Sequence, residues 1–174
     1  MKKVDLYTDG ACRGNPGAGG YGVVLEYFDD EGIKHTKELS EGYKKTTNNR
    51  MELLAVYKGL EALKKTCQVT IYTDSKYIVD SFQLGWLEGW IQNNWTRGKK
   101  KEPVKNVDLW KAIIQEISRH EASFVWVKGH DGHEQNERCD FLATSAADSE
   151  DLLIDIEYEK QSDNKQSDNN QLKL

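Results

Sequence analysis

The sequence predicts an α/β fold in which a mixed sheet is flanked by helices. Three observations predict it. Apolar and polar residues alternate through the first third of the chain, the apolar spacing changes to three- and four-residue steps from residue 49 onward, and strand-like and helix-like segments then interleave. The resulting order, βββαβαααβα, suits a sheet with both parallel and antiparallel neighbours and helices packed against it.

Residues 4–8 alternate as a half-buried strand does, and residues 21–28 and 34–43 continue as strands around the turn signal Asp29-Asp30-Glu31-Gly32. Leu53, Val56, Tyr57, Leu60 and Leu63 fall on one helical face, which predicts a helix over 49–65. Residues 69–73 return to a strand pattern. Residues 75–82, 86–95 and 107–120 read as helices, with a basic loop at 98–104, and a strand at 123–127 precedes a last helix at 136–147. Gly17, Gly19 and Gly22 match a dinucleotide-binding fingerprint in letters only, because a strand pattern follows them instead of the helix that would hold a pyrophosphate. A tight hairpin is the expected use of these glycines.

The 174 residues carry a net charge of −5, with 37% hydrophobic and 10% aromatic residues, which excludes wholesale disorder. The charge is unevenly placed: residues 147–174 hold eight acids against three bases, so the rest of the chain is neutral. The end also repeats a polar pentad, Lys-Gln-Ser-Asp-Asn, at 160–164 and 165–169. We therefore expect a domain over 1–148 and a disordered, low-complexity acidic tail over 149–174. Arg97, Lys99, Lys100, Lys101, Lys105 and Lys111 stand against only Glu102 and Asp108 in their stretch, so a polyanionic partner is compatible with an acidic pI of 5.4. No apolar run approaches the ~20 residues of a membrane span, and the N-terminus lacks a secretory pattern. An odd three cysteines argue against a disulfide framework; a cytoplasmic monomer is the expectation.

Four acids stand at predicted element ends or inward faces: Asp9, Glu52, Asp74 and Asp140. Asp9 and Asp74 each close a strand expected to be buried, with no adjacent base, and a buried carboxylate without a partner is costly. If the sheet gathers these groups, their repulsion demands protons or a hard cation such as Mg²⁺ or Mn²⁺. For any one of them a helix cap or a solvated turn is the plainer use. His130, His133 and Cys139 fit no familiar zinc spacing; His130, in a glycine-punctuated loop, suits proton transfer near neutrality. Trp86, Trp90 and Trp95 beside the basic loop suit either a nucleic-acid surface or a core.

Jointly these signals carry a resemblance. Residues 7–17 (YTDGACRGNPG), 46–52 (TTNNRME), 73–77 (TDSKY), 103–110 (PVKNVDLW) and 126–130 (WVKGH) through 136–140 (NERCD) occur in the order found in type 1 ribonuclease H, and residues 2–147 resemble its bacterial form. The resemblance implies a ribonuclease H-like fold with a five-stranded mixed sheet, and an endoribonuclease that cuts the RNA strand of RNA–DNA hybrids with little sequence preference, leaving 5′-phosphate and 3′-hydroxyl ends. It implies Asp9, Glu52, Asp74 and Asp140 as ligands of two Mg²⁺ ions when substrate is bound, with Mn²⁺ as substitute, and His130 as the catalytic histidine. Asn15, Asn48 and Asn49 match hybrid contacts, and Lys45, Thr47 and Asn106 match a pocket for a DNA phosphate. Trp86 matches the aromatic of the DNA channel; Arg97, Lys99, Lys100 and Lys101 match a basic handle. The rival expectations are a hybrid-binding module that does not cut, and a DNA-cutting nuclease of the same fold.

Overall fold

The computed structural model describes residues 1–129 and 132–171, with residues 164–171 described by backbone alone. Strands β1 (Lys2–Cys12), β2 (Gly17–Phe28) and β3 (Lys34–Thr46) form the antiparallel meander that the alternation predicts. Helix α1 (Asn48–Glu61) starts where Thr47 Oγ1 accepts the Arg50 amide, satisfying a donor the first turn leaves free. β4 (Cys67–Thr73) lies parallel to β1. Helix α2 (Lys76–Gln83) is capped by Ser75, and α3 (Trp86–Gln92) follows. A two-stranded hairpin, β5 (Thr96–Arg97) and β6 (Glu102–Pro103), presents the basic loop before α4 (Val107–Ile117). β7 (Glu121–Trp126) runs parallel to β4, and helix α5 (Glu134–Ala147) follows it.

The sheet has six strands, not the expected five. Its order is β7-β4-β1-β2-β3-β8, because β8 (Leu152–Leu153) adds a short parallel edge to β3. β8 lies past residue 148, the expected end of the domain. Beyond it, α6 (Ile156–Gln171) is helical where composition predicted disorder. Two isolated leucines and one acid, Asp155, carry this extension, too little to register as periodicity.

The main core lies between the sheet and α1 and α4: Leu6, Leu53, Val56, Leu60, Ile71, Ile78, Trp110 and Ile113 are sealed from solvent. Trp110 satisfies its buried indole N–H by donating to the Tyr77 hydroxyl at 3.0 Å. On the opposite face α5 lies on β1, β2 and β3. The expected hairpin use of the glycine run is corrected by this contact. Only Gly17 sits at the turn, where a Cβ would overlap the Arg13 carbonyl oxygen. A Cβ on Gly20, Gly22 or Gly42 would overlap backbone carbonyls of α5. The glycines are the bed on which α5 rests, and α5 carries Asp140.

Candidate metal centre and nucleic-acid interface

β1 and β4 are parallel neighbours, so their C-terminal ends put Asp9 and Asp74 on the same edge of the sheet. Gly10 lets α1 approach that edge, since a Cβ there would overlap the Glu52 amide nitrogen. The three carboxylates Asp9, Glu52 and Asp74 each offer an oxygen within 4.8 Å of the others. Asp140 lies outside this tight group; it is half-buried on α5 and its charge acts on Asp9. The ladder explains the position: Asp9 pairs with Gly22, whose face is covered by α5.

These acids are held at an electrostatic cost. Burial, then the charge of Asp74, push the Asp9 carboxyl up to about 7, against the stabilising amide of Gly10 at 2.9 Å from Oδ1. Burial and the charges of Asp9 and Asp74 raise Glu52 well above the usual carboxylate range. Glu52 Oε2 is sealed from solvent and accepts no hydrogen bond. An orphaned carboxylate oxygen facing two further acids is what a hard divalent cation satisfies, and the all-oxygen donor set fits Mg²⁺ or Mn²⁺. Trp126 supports the site by donating its indole N–H to the Asp74 carbonyl at 3.1 Å, a contact between strand ends that the sequence does not reveal. Cys139 is fully buried, and burial pushes its thiol far above the ordinary range. His130 lies outside the described residues; Gly129, just before it, is packed so close to Asp74 that a Cβ would stand 2.9 Å from Oδ2.

A separate polar cleft of about 420 Å³ collects Asn15, Thr47, Asn48, Asn49 and Asn106, five of the expected substrate contacts. Asn15 Oδ1 accepts the Asn48 amide at 2.9 Å, tying the β1–β2 turn to the start of α1. Lys105 also lines it, and so do Tyr158 and Gln161 of α6, which the sequence reading missed because the polar pentads pointed to disorder. Lys45 is exposed and does not line the cleft. Arg50, also unforeseen, is nearly sealed beneath the cleft. Its guanidinium donates to both oxygens of Asp108 and to both oxygens of Asp155, with a longer bond to Asn106 Oδ1. Burial alone would lower its pKa, but these carboxylates overcome it and keep the charge fixed. Asn106 is thereby steadied in a left-handed conformation (φ 62°) just ahead of α4.

Trp86 is 43% exposed at the start of α3, whereas Trp90 packs edge-on against Trp110 and belongs to the core margin. Arg97, Lys99, Lys100 and Lys101 are all exposed on the β5–β6 hairpin.

The sequence profile of the family described as RNase H matches residues 1–148. A protein of Lachnoclostridium phytofermentans named Ribonuclease H is 61% identical over 154 residues, covering 88% of this chain and 97% of that one. Its namesake in Desulforamulus reducens is 53% identical over 156 residues, 90% of this chain and 94% of the other. Among solved structures, LC9-RNase H1, described as a type 1 RNase H with the type 2 active-site motif, superposes with a TM-score of 0.75 at 34% identity, over 84% of this chain and 72% of that chain. LC11-RNase H1, solved in complex with RNA/DNA hybrid, gives a TM-score of 0.57 at 29% identity over 83% of this chain and 96% of that chain.

Proposed function

The chain belongs to the ribonuclease H family, and from that premise we propose that it hydrolyses the RNA strand of RNA–DNA hybrids in a divalent-cation-dependent reaction. The observation that carries this reading is the convergence of Asp9, Glu52 and Asp74 within 4.8 Å, with an unsatisfied buried oxygen on Glu52. A cluster of acids alone repels a phosphodiester. When bound, divalent ions reverse the local sign and supply a water activated for attack at phosphorus.

Asp9, Glu52 and Asp74 would hold such ions, with Asp140 completing the set, and two Mg²⁺ ions are the occupancy we favour. The raised pKa values of Asp9 and Glu52 mean that the pair gives up bound proton as a cation enters. His130 is assigned the movement of a proton at the departing 3′-oxygen, so that water adds to phosphorus, the P–O3′ bond breaks, and the ends are 5′-phosphate and 3′-hydroxyl. Thr47, Asn15, Asn48, Asn49 and Asn106 offer neutral donors to a DNA-strand phosphate, with charge from Lys105. Lys45 approaches the same strand from outside the cleft. Trp86 packs against the backbone, and Arg97, Lys99, Lys100 and Lys101 attract it. Contacts to phosphate and sugar carry no sequence information, so recognition through them implies low sequence preference. We read the enzyme as a cytoplasmic monomer; no helix among the described residues is long and apolar enough to cross a membrane.

Matched RNA–DNA, RNA–RNA and DNA–DNA duplexes incubated with Mg²⁺, with and without EDTA, test the reading. Cutting should be confined to the RNA of the hybrid and should stop with EDTA. Cutting of DNA, or binding without cutting, would favour the rival readings.

A further inference from the structure

Helix α6 lies outside the residues 1–148 that match the family, yet Tyr158 and Gln161 form part of the wall of the cleft that holds Asn15, Thr47, Asn48, Asn49 and Asn106. From this juxtaposition we propose that α6 is a substrate-binding element of this chain, whose Tyr158 hydroxyl and Gln161 amide donate hydrogen bonds to the nucleic-acid backbone seated in the cleft. The proposal rests on the functional reading above, since it takes the cleft to be a phosphate site.

Three features of the helix support it. The first is its placement. Asp155, only 8% exposed, accepts from Arg50 Nε at 2.7 Å, from Thr46 Oγ1 at 2.7 Å and, through Oδ1, from the Tyr158 amide at 3.3 Å. The first turn of α6 is therefore locked to the same buried guanidinium that steadies Asn106. Thr46 directly precedes Thr47, so both walls of the cleft share one anchor.

The second feature is spacing. Tyr158 and Gln161 are three residues apart in a helix and so lie on one face, which is the face toward the cleft.

The third is charge. Where its side chains are described, to residue 163, α6 carries the acids Glu157, Glu159 and Asp163, yet the two residues that reach the cleft are both uncharged donors. Glu157 instead borders a neighbouring groove with Leu54, Ile154 and Ile156, and its carboxylate stands 3.7 Å from Lys160 Nζ. A carboxylate on the cleft would repel a phosphate, whereas a phenol and a carboxamide donate to it at no electrostatic cost.

The test uses the full chain with Tyr158→Phe, Gln161→Ala and the double variant. Affinity for a short RNA–DNA hybrid is measured in EDTA, and KM and kcat are measured separately with Mg²⁺. A hydrogen bond to a charged group is commonly worth about tenfold in affinity, so each single variant should bind roughly ten times more weakly and the double variant roughly a hundred times, with a matching rise in KM and kcat within about twofold. Tyr158→Phe keeps the ring and removes only the hydroxyl, so a weakening there separates a direct hydrogen bond from a packing role. Unchanged affinity and KM in the double variant, while the wild type still cuts hybrid, would overturn the proposal and leave the functional reading standing. Tighter binding by the double variant would also overturn it, since α6 would then be a shield. Weaker binding by the variants of a wild type that holds hybrid without cutting it would support the proposal and overturn the functional reading.

Discussion

Asp155 closes on Arg50 across 105 residues of chain, with Oδ2 2.7 Å from Nε and Oδ1 3.0 Å from Nη2. Both groups are nearly sealed from solvent, so neither charge is hydrated in compensation. The pair fastens the C-terminal extension beneath the cleft that gathers Asn15, Thr47 and Asn106.

Asp155→Ala should therefore be costly. Removing one partner of a buried ion pair leaves the other under-compensated, and Arg50 keeps Asp108 as its one remaining charged partner, so a loss of about 2–4 kcal/mol is expected. Urea denaturation should show a lower midpoint with an unchanged slope. A midpoint equal to the wild type would mean that the extension is not held by this ion pair.

Glycine substitutions should divide by what they meet. In Gly22→Ala the methyl group would overlap the Cys139 carbonyl, forcing α5 off the sheet and Asp140 away from Asp9; a loss of several kcal/mol and of most activity is expected. Gly89→Ala on α3 meets open space and should stabilise by about 0.5–1 kcal/mol. Thermal midpoints and hybrid cleavage measured on the two variants check the contrast.

The β5–β6 hairpin should supply salt-sensitive affinity. Replacing Lys99, Lys100 and Lys101 together by Ala should weaken hybrid binding and flatten the plot of log affinity against log salt by roughly 0.9 for each phosphate that is no longer neutralised. An unchanged slope would remove these lysines from the interface.

The acid cluster should make the metal-free protein sensitive to pH. Asp9 is raised from 3.8 to about 7 by burial first and Asp74 second, so the native state holds a proton that the unfolded chain gives up. The stability associated with that proton is fully present below about pH 4 and is lost as pH rises through about 7, by up to a few kcal/mol. Denaturation in EDTA across that range should show the decline, and Asp9→Asn should reduce it, leaving the share that the buried Glu52 contributes. A flat profile in the wild type would place the Asp9 carboxylate in water.

Much of this arrangement is legible in the sequence because its signals are local. Alternation marks β1 to β3, Thr47 and Ser75 announce helix starts, and Asp9 and Asp74 stand at strand ends where a parallel pairing unites them. What is not legible depends on distance along the chain. Gly20 and Gly22 of β2 read as part of a hairpin because nothing local shows that α5, more than a hundred residues later, rests on them. β8 and α6 escape notice because two leucines and one aspartate do the anchoring, while the repeated polar pentads around them have the composition of a disordered tail.

Calorimetric titration of Mn²⁺ into the wild type, Asp9→Asn and Glu52→Gln near pH 7 tests the metal centre most directly. The wild type should bind the ion with release of protons, seen as heats that depend on the buffer, and both variants should bind at least tenfold more weakly while remaining folded. Equal affinity in all three proteins would contradict the assignment of these carboxylates as ligands.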